Sequence, residues 1–230
     1  MLARFAKGAL LALASMFAST LAVAADNWKL ELDEGGVKLY TRSSEHSAMK
    51  SCKVVTTLRG TLSSIVALLN DQKNFPTWMD KLVKAERLQS LKDNENLFYT
   101  VVDSPWPAKD QDNIIYTKWT QDPNTYEMVQ TVISEPEYLS PAKGKQRQSY
   151  FRAEWRLLPV GDGNIHVTYT ADVDPGTKTI PRWMSNMFVY EMPVKTLRNM
   201  ASVPMGDYES ASFAYVQEPV DTAIVMTSEE

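Results

Sequence analysis

The sequence predicts an α+β fold in which one long antiparallel β-sheet curves around a C-terminal α-helix. Short runs rich in β-branched and aromatic residues fill the middle of the chain, and turn signals separate them at short intervals. Near the end of the chain the apolar pattern changes to helical spacing. The connections are too short for crossover helices between parallel strands, so a doubly wound α/β fold is excluded.

The first part of the chain supplies two predicted strands and two short helices. The strands cover residues 37–42 and 48–58. Residues Leu62–Asn70 carry apolar side chains at helical spacing, and Thr61 before them can serve as an N-cap. The Phe-Pro-Thr-Trp-Met-Asp segment at 75–80 predicts one further helical turn.

Six more strands follow in a meander. Polar and glycine-containing turns connect them, and antiparallel neighbours need only a few residues between them. The predicted strands cover residues 83–90, 96–103, 113–120, 126–134, 150–158 and 165–172.

Residues 180–203 form the longest predicted helix, because apolar side chains recur there at helical spacing. Pro193 lacks a backbone N–H, so we expect a kink or a local widening of the helix at residues 189–191. This helix alone is large enough to cover the apolar face of the sheet. Its predicted inner face consists of Trp183, Met184, Met187, Phe188, Glu191, Val194, Leu197 and Ala201.

Three regions are expected along the chain. Residues 26–203 are long enough for one large domain with its own core. Residues 204–230 are weakly patterned, and we expect a tail that is partly helical, at 210–217, and partly disordered. Residues 1–25 read as a leader segment.

The leader has the pattern of a secretory signal peptide. Arg4 and Lys7 precede an uncharged run, and small residues end this run before Asp26. An uncleaved membrane anchor is the alternative, although serine and threonine interrupt the run. Cleavage would deliver the protein to the periplasm or the exterior. The single cysteine, Cys52, lies too far from the leader to carry a lipid anchor, and its strand-like surroundings predict a buried, unreactive thiol.

Composition argues against several function classes. The net charge is −4, and no cluster of lysine and arginine is present to attract a nucleic acid or an anionic membrane surface. His46 and His166 are the only histidines, and no spacing resembles a zinc site. Neither a glycine-rich phosphate loop nor a Gly-x-Ser-x-Gly elbow occurs. We therefore expect no metal, no cofactor and no catalytic residue, and a surface position for His166.

Five segments occur in an order that is informative when they are taken together. Ser104-Pro-Trp-Pro-Ala-Lys-Asp-Gln-Asp matches a Trp-Pro-x-x-x-Arg-Asp pattern, apart from Gln111 in place of arginine. The other four segments are 36–42, 75–79, 155–159 and 174–186. The set resembles the START (steroidogenic acute regulatory protein-related lipid transfer) family over residues 28–203. Because Gln111 departs from the pattern, a buried arginine–carboxylate pair is not expected at that position.

The resemblance implies a helix-grip fold that encloses a tunnel for a lipid or another apolar molecule. Eleven methionines and many aromatic residues suit such a cavity, although a stripe of this kind can also be plain core. Strand parity and the helical face give the candidate ligand-binding residues. These are Tyr99, Met128, Gln130, Trp155, Tyr169, Met184, Met187, Phe188 and Glu191. Tyr99, Gln130 and Glu191 would orient the ligand, and Glu191 has the alternative of reaching solvent.

The predicted function is non-enzymatic binding, with transfer or sensing, of a hydrophobic ligand in a cavity of about 300–1,000 Å³. The loop at 135–148 is the expected gate. We expect a monomer, and transient membrane contact is compatible with this role. One alternative is a polyketide cyclase or aromatase of the same superfamily. Another is a protein-binding module that uses the tail at 204–230.

Overall fold

The computed structural model describes residues 27–219, which form one ten-stranded β-sheet with helices packed against it. The predicted signal peptide and residues 220–230 lie outside the described residues. The strands are β1 (Lys29–Glu34), β2 (Val37–Ser43), β3 (Lys50–Arg59), β4 (Leu82–Lys92), β5 (Glu95–Val102), β6 (Gln111–Gln121), β7 (Met128–Ser134), β8 (Gln146–Arg147), β9 (Tyr150–Gly161) and β10 (Asn164–Asp174).

The sheet is antiparallel, as predicted, and its strand order is β1-β2-β3-β10-β9-β7-β6-β5-β4. The last strand of the sequence, β10, pairs with β3. This pairing joins β1, β2 and β3 to the other strands in one sheet. The two-residue β8 pairs in parallel with β6, beyond the end of β7. The sequence did not predict β1 or β8, because β1 is exposed along most of its length and β8 is too short to show a period of two.

Helix α1 (Leu62–Asn70) begins at the predicted N-cap. The Thr61 side chain accepts a hydrogen bond from the Ser64 backbone N–H, and the Ser64 hydroxyl oxygen accepts one from the Thr61 backbone N–H, which makes a capping box. A 3₁₀ turn and the short helix α2 (Phe75–Trp78) follow, in agreement with the predicted second helical turn. Apolar side chains of α1 and α2 are buried in the same core as the sheet.

The C-terminal helix consists of α3 (Arg182–Asn186), a π-helical turn (Met187–Glu191) and α4 (Met192–Met200). The π turn lies immediately before Pro193, which confirms the predicted local widening. Proline cannot donate a hydrogen bond to the carbonyl one turn earlier, and a wider turn absorbs this loss. The π turn inserts a residue into the helical repeat and changes which side chains face the sheet after it.

The segment that follows the helix packs on the domain as far as Pro219. It contains one 3₁₀ turn (Gly206–Tyr208), but the helix predicted at 210–217 does not form. Tertiary contacts hold this segment in place: the Glu218 carboxylate accepts hydrogen bonds from the backbone N–H groups of Leu62 and Ser63, at 2.9 and 2.7 Å. We call residues 204–219 the C-terminal strap.

Among residues 27–219, no helix is long and apolar enough to cross a membrane. The Cys52 thiol is buried on β3, as predicted, and burial raises its pKa to about 12, so the thiol stays protonated. His166 lies on β10 between the buried residues Ile165 and Val167, with its own side chain on the opposite face of the strand.

Candidate ligand-binding cavity

A cavity of about 150 Å³ lies between the sheet and the C-terminal helix. Its walls come from α1, α2 and the start of β4, from the inner faces of β5, β6, β7, β9 and β10, and from the π turn and α4. The volume is about half the lower limit expected for ligand pockets, because large side chains project into this space. They include Phe75, Phe98, Phe151, Trp155, Phe188 and Met192.

The central part of the sheet wall is aromatic. Trp155 on β9 and Tyr169 on β10 are direct cross-strand neighbours, and their ring centroids lie 4.4 Å apart. Such pairs stabilise the face on which they lie. Burial raises the pKa of Tyr169 far above its ordinary value, so the phenol remains a neutral group at physiological pH.

The helix side of the cavity is fastened by hydrogen bonds between α4 and the end of α2. The backbone N–H of Asp80 donates to the Thr196 hydroxyl at 3.1 Å, and the Asn199 side chain donates to the Trp78 carbonyl at 3.0 Å. Asp80 and Thr196 both border the cavity. These two bonds fix α4 against the segment that leads into β4.

Polar groups form a patch on the opposite wall. Thr100 on β5 lies beside Asn113 on β6, and Gln148 follows β8. The Asn113 amide N–H donates to Gln148 Oε1 at 2.8 Å. Thr117 and Gln130 add two further neutral polar groups to the wall. A mostly apolar cavity with a few convergent polar groups is typical of a small-molecule site.

The structure places four of the nine predicted binding residues on the cavity wall. Three others are fully or almost fully buried in the surrounding core and do not border the cavity: Met128, Met184 and Met187. These three methionines are ordinary core residues, which was the alternative to cavity lining that the sequence left open. The four residues on the wall are Gln130, Trp155, Tyr169 and Phe188.

Tyr99 lies on the other face of β5, and the prediction that it faces the interior is wrong. Phe98, Thr100 and Val102 border the cavity, so side-chain alternation puts Tyr99 outside, where the Lys84 ammonium lies 5.1 Å from its ring centroid. The outer face of β5 is itself buried at Leu97 and Val101. Both faces of β5 carry apolar residues, so their alternation along the strand does not show which face borders the cavity.

Glu191 is exposed, and its predicted position on the inner face of the helix is wrong. In a regular helix Glu191 would follow Phe188 on the same face. The π turn takes more residues per turn, so Met192 and Pro193 come to the cavity wall in its place. Solvent exposure was the alternative that the sequence left open for this carboxylate.

The loop between β7 and β8 makes up most of the segment that was predicted to act as a gate. It is held on the outer face of the sheet by Arg147, whose guanidinium makes two 3.0 Å hydrogen bonds to the Asp112 carboxylate. The same guanidinium donates to the carbonyls of Pro136 and Leu139, both at 2.7 Å. Since Asn113 faces the cavity, its neighbour Asp112 faces away from it. The loop is therefore pinned behind the cavity wall.

The sequence did not predict two pairs of interacting polar residues. The buried Arg147–Asp112 pair lies one residue beyond Gln111, the position at which no such pair was expected. Asn113 and Gln148 were also missed, although a signal for Asn113 existed. Asn113, Ile115 and Thr117 alternate on one face of β6, and a polar residue at the start of an apolar strand face marks a polar patch.

Comparison with known protein families gives a match over most of the chain. A model of the START domain matches residues 10–203. The chain belongs to the START domain family. The resemblance of the five sequence segments is thereby confirmed. The match ends at Val203, so the C-terminal strap lies beyond the part of the chain that the START model covers.

Individual relatives agree with this assignment. An uncharacterised protein of Pseudomonas aeruginosa is 32% identical over 180 residues, which cover 77% of this chain and 87% of the relative. The crystal structure of a STAR-related lipid transfer protein from Xanthomonas axonopodis is 29% identical, covers 77% of this chain and 98% of that chain, and has a TM-score of 0.70. Human StAR-related lipid transfer protein 5 is 14% identical, with 77% and 86% coverage and a TM-score of 0.68, and shows the shared START fold.

Proposed function

We propose that this START domain binds a lipid or another hydrophobic molecule in its central cavity and carries or senses it without chemical change. The observation that supports this most is the apolar cavity between the sheet and the C-terminal helix. Apart from the Asp80 carboxylate, the polar groups of the wall are neutral hydroxyls and amides, and burial keeps the Tyr169 phenol protonated. Such groups orient a ligand by hydrogen bonds but do not readily exchange protons with it.

The test is native mass spectrometry of protein purified from cells under non-denaturing conditions, with extraction of any bound molecule. A carrier or sensor is expected to retain an apolar molecule and to release it unchanged. Recovery of a cyclised or otherwise converted product, after incubation with the extracted compound, would favour the cyclase or aromatase alternative. Repeated purification without any apolar ligand, together with no binding of added lipids, would contradict the proposal.

We propose periplasmic action, because the leader at residues 1–25 has the pattern of a signal peptide. Fractionation of expressing cells followed by N-terminal sequencing is the measurement. The expected mature chain lacks the leader and begins at Ala25 or Asp26. A chain that keeps its leader in the membrane fraction would favour the anchor alternative.

Membrane contact through the loop between β5 and β6 would allow ligand exchange. Trp106 in this loop is 91% exposed, and Val102 at the start of the loop borders the cavity. An exposed tryptophan is well suited to the interface between lipid head groups and acyl chains. We propose that Trp106 contacts the bilayer while the protein is a monomer.

Substitution of Trp106→Ser is expected to reduce co-sedimentation with phosphatidylcholine vesicles several-fold, because it removes the exposed aromatic ring. The control is Val160→Ser, since Val160 is 54% exposed at the other end of the sheet. Equal sedimentation of both variants and the unmodified protein would exclude this role for Trp106.

A further inference from the structure

The polar patch of the cavity is built around two buried amides that cannot satisfy each other completely. Asn113 and Gln148 are each 4% exposed. One hydrogen bond joins them, from Asn113 Nδ2 to Gln148 Oε1. Asn113 Oδ1 has no hydrogen-bond partner among the described residues. Buried polar groups are nearly always paired, so this oxygen is an exception that calls for a partner.

The remaining hydrogen-bonding capacity of the pair does not depend on how the two amides are turned. Each amide has one acceptor oxygen and one donor NH₂ group. Their mutual bond uses one oxygen and one N–H, whichever residue donates. One amide oxygen and one NH₂ group are therefore left over, and both residues border the cavity.

The charges around the patch argue against an anionic ligand group. Within residues 27–219, no lysine, arginine or histidine lines the cavity, and the one carboxylate on its wall is that of Asp80. A phosphate or carboxylate buried here would have no opposite charge, and such burial is strongly unfavourable. Arg147 lies close by in sequence but is committed to Asp112 on the other face of the sheet.

We propose that Asn113 and Gln148 select a neutral ligand that carries a hydroxyl group on an apolar body. A hydroxyl can donate to the free amide oxygen and accept from the free NH₂ group at the same time. A carboxylate or an ether can only accept, so it leaves the oxygen unpaired. This assignment of the ligand class rests on the proposed function of the cavity.

The test compares ligands with the same chain and different head groups. Decanol, decyl methyl ether and decanoate compete at neutral pH with the neutral fluorescent probe N-phenylnaphthylamine. Decanol is expected to bind about tenfold more tightly than the ether, which corresponds to one additional satisfied hydrogen bond. It should bind more tightly still than decanoate, whose charge would be buried without a partner. Equal affinities for the three compounds would overturn the selection of a hydroxyl, while binding in the cavity would stand.

Variants locate the selectivity in the two amides. Asn113→Leu is expected to remove the preference for decanol over the ether. The double variant Asn113→Leu with Gln148→Leu removes both partners, so no amide is left unpaired if the single variant folds poorly. The matched control is Asn96→Leu, because the Asn96 amide oxygen accepts from the Ser90 hydroxyl and Asn96 does not border the cavity.

The outcomes separate the two proposals. Retention of the decanol preference in both Asn113 variants would overturn the role of the amides. If the unmodified protein binds neither the probe nor any of the three compounds, the proposed function fails, and the assignment of a ligand class fails with it. A preference that disappears in the Asn113 variants and persists in Asn96→Leu supports the inference.

Discussion

Asp112 and Arg147 place opposite charges where water does not reach. The Asp112 side chain is fully buried, and it accepts hydrogen bonds from the guanidinium and from the backbone N–H of Ala142. The pair thus ties the start of β6 to the loop that follows β7. A buried charge is tolerated only while its partner and its hydrogen bonds are present.

Substitution of Arg147→Leu is expected to lower the free energy of unfolding by about 3–5 kcal/mol, because an unpaired carboxylate remains buried. The control is Arg198→Leu, which breaks a surface pair with Glu34 and is expected to cost about 0–1 kcal/mol. Urea denaturation measures both values. Similar losses for the two variants would contradict a special role of the buried pair.

Acidification should lower the free energy of unfolding through protonation of Asp112. Burial alone would raise the pKa of Asp112, but the hydrogen bonds from Arg147 and Ala142 outweigh it and hold this pKa below its usual range. The resulting stability is present above the unfolded pKa of about 4 and is lost as the pH falls through the lower folded value. In Asp112→Asn, the free energy of unfolding should therefore fall less steeply with acidification. An unchanged slope would argue against this linkage.

Helix α1 depends on a residue outside the family domain. Two acceptors bind the N-terminal N–H groups of α1. One is the side chain of Thr61, the N-cap residue, and the other is the Glu218 carboxylate of the C-terminal strap. A carboxylate at a helix N-terminus also interacts favourably with the helix dipole. Phe213, Tyr215 and Val216 of the strap pack against the core, so this described part of the tail is not an exposed apolar surface for a partner.

The Glu218→Ala variant is expected to lose about 1 kcal/mol of stability, since two backbone donors of α1 lose their acceptor. Glu209→Ala provides the comparison, because Glu209 is an exposed carboxylate of the same strap. Chemical denaturation of the two variants checks the expectation. Equal stability would mean that the strap contributes nothing through this cap.

At the scale of the whole molecule, stability and ligand binding make opposite demands on the cavity. Solid packing would add contacts, whereas a cavity leaves wall atoms without neighbours. Ala153 and Ala171 lie opposite each other on β9 and β10, and both border the open space. Small side chains at these two positions keep the middle of the cavity open.

Ala153→Leu should therefore fill part of the cavity and abolish the recovery of bound apolar molecules. The loss of stability is expected to be smaller than the about 1–3 kcal/mol that overpacking of a filled core costs. Native mass spectrometry and thermal unfolding supply the measurements, with the exposed Ala201→Leu as control. Unchanged ligand content in Ala153→Leu would show that binding takes place elsewhere.

Local patterns were sufficient to predict much of this molecule. The antiparallel strands, the capped helix at Leu62–Asn70 and the widening before Pro193 each follow from residues close together in the chain. Interior faces of β9 and β10 were also predictable, because one face of each strand is clearly more apolar than the other. The family followed from five segments in order.

Tertiary structure decided what local patterns could not. Tyr99 was placed on the wrong face because β5 carries buried apolar residues on both faces, Leu97 and Val101 on one and Phe98 on the other. Glu191 left the inner face because the π turn shifted the helical repeat by part of a turn. The paired amides of Asn113 and Gln148, and the ion pair of Asp112 and Arg147, join residues 35 positions apart. Sequence alone therefore determined the elements and the family. Only folding determined which polar groups meet in the cavity, because that depends on contacts between distant parts of the chain.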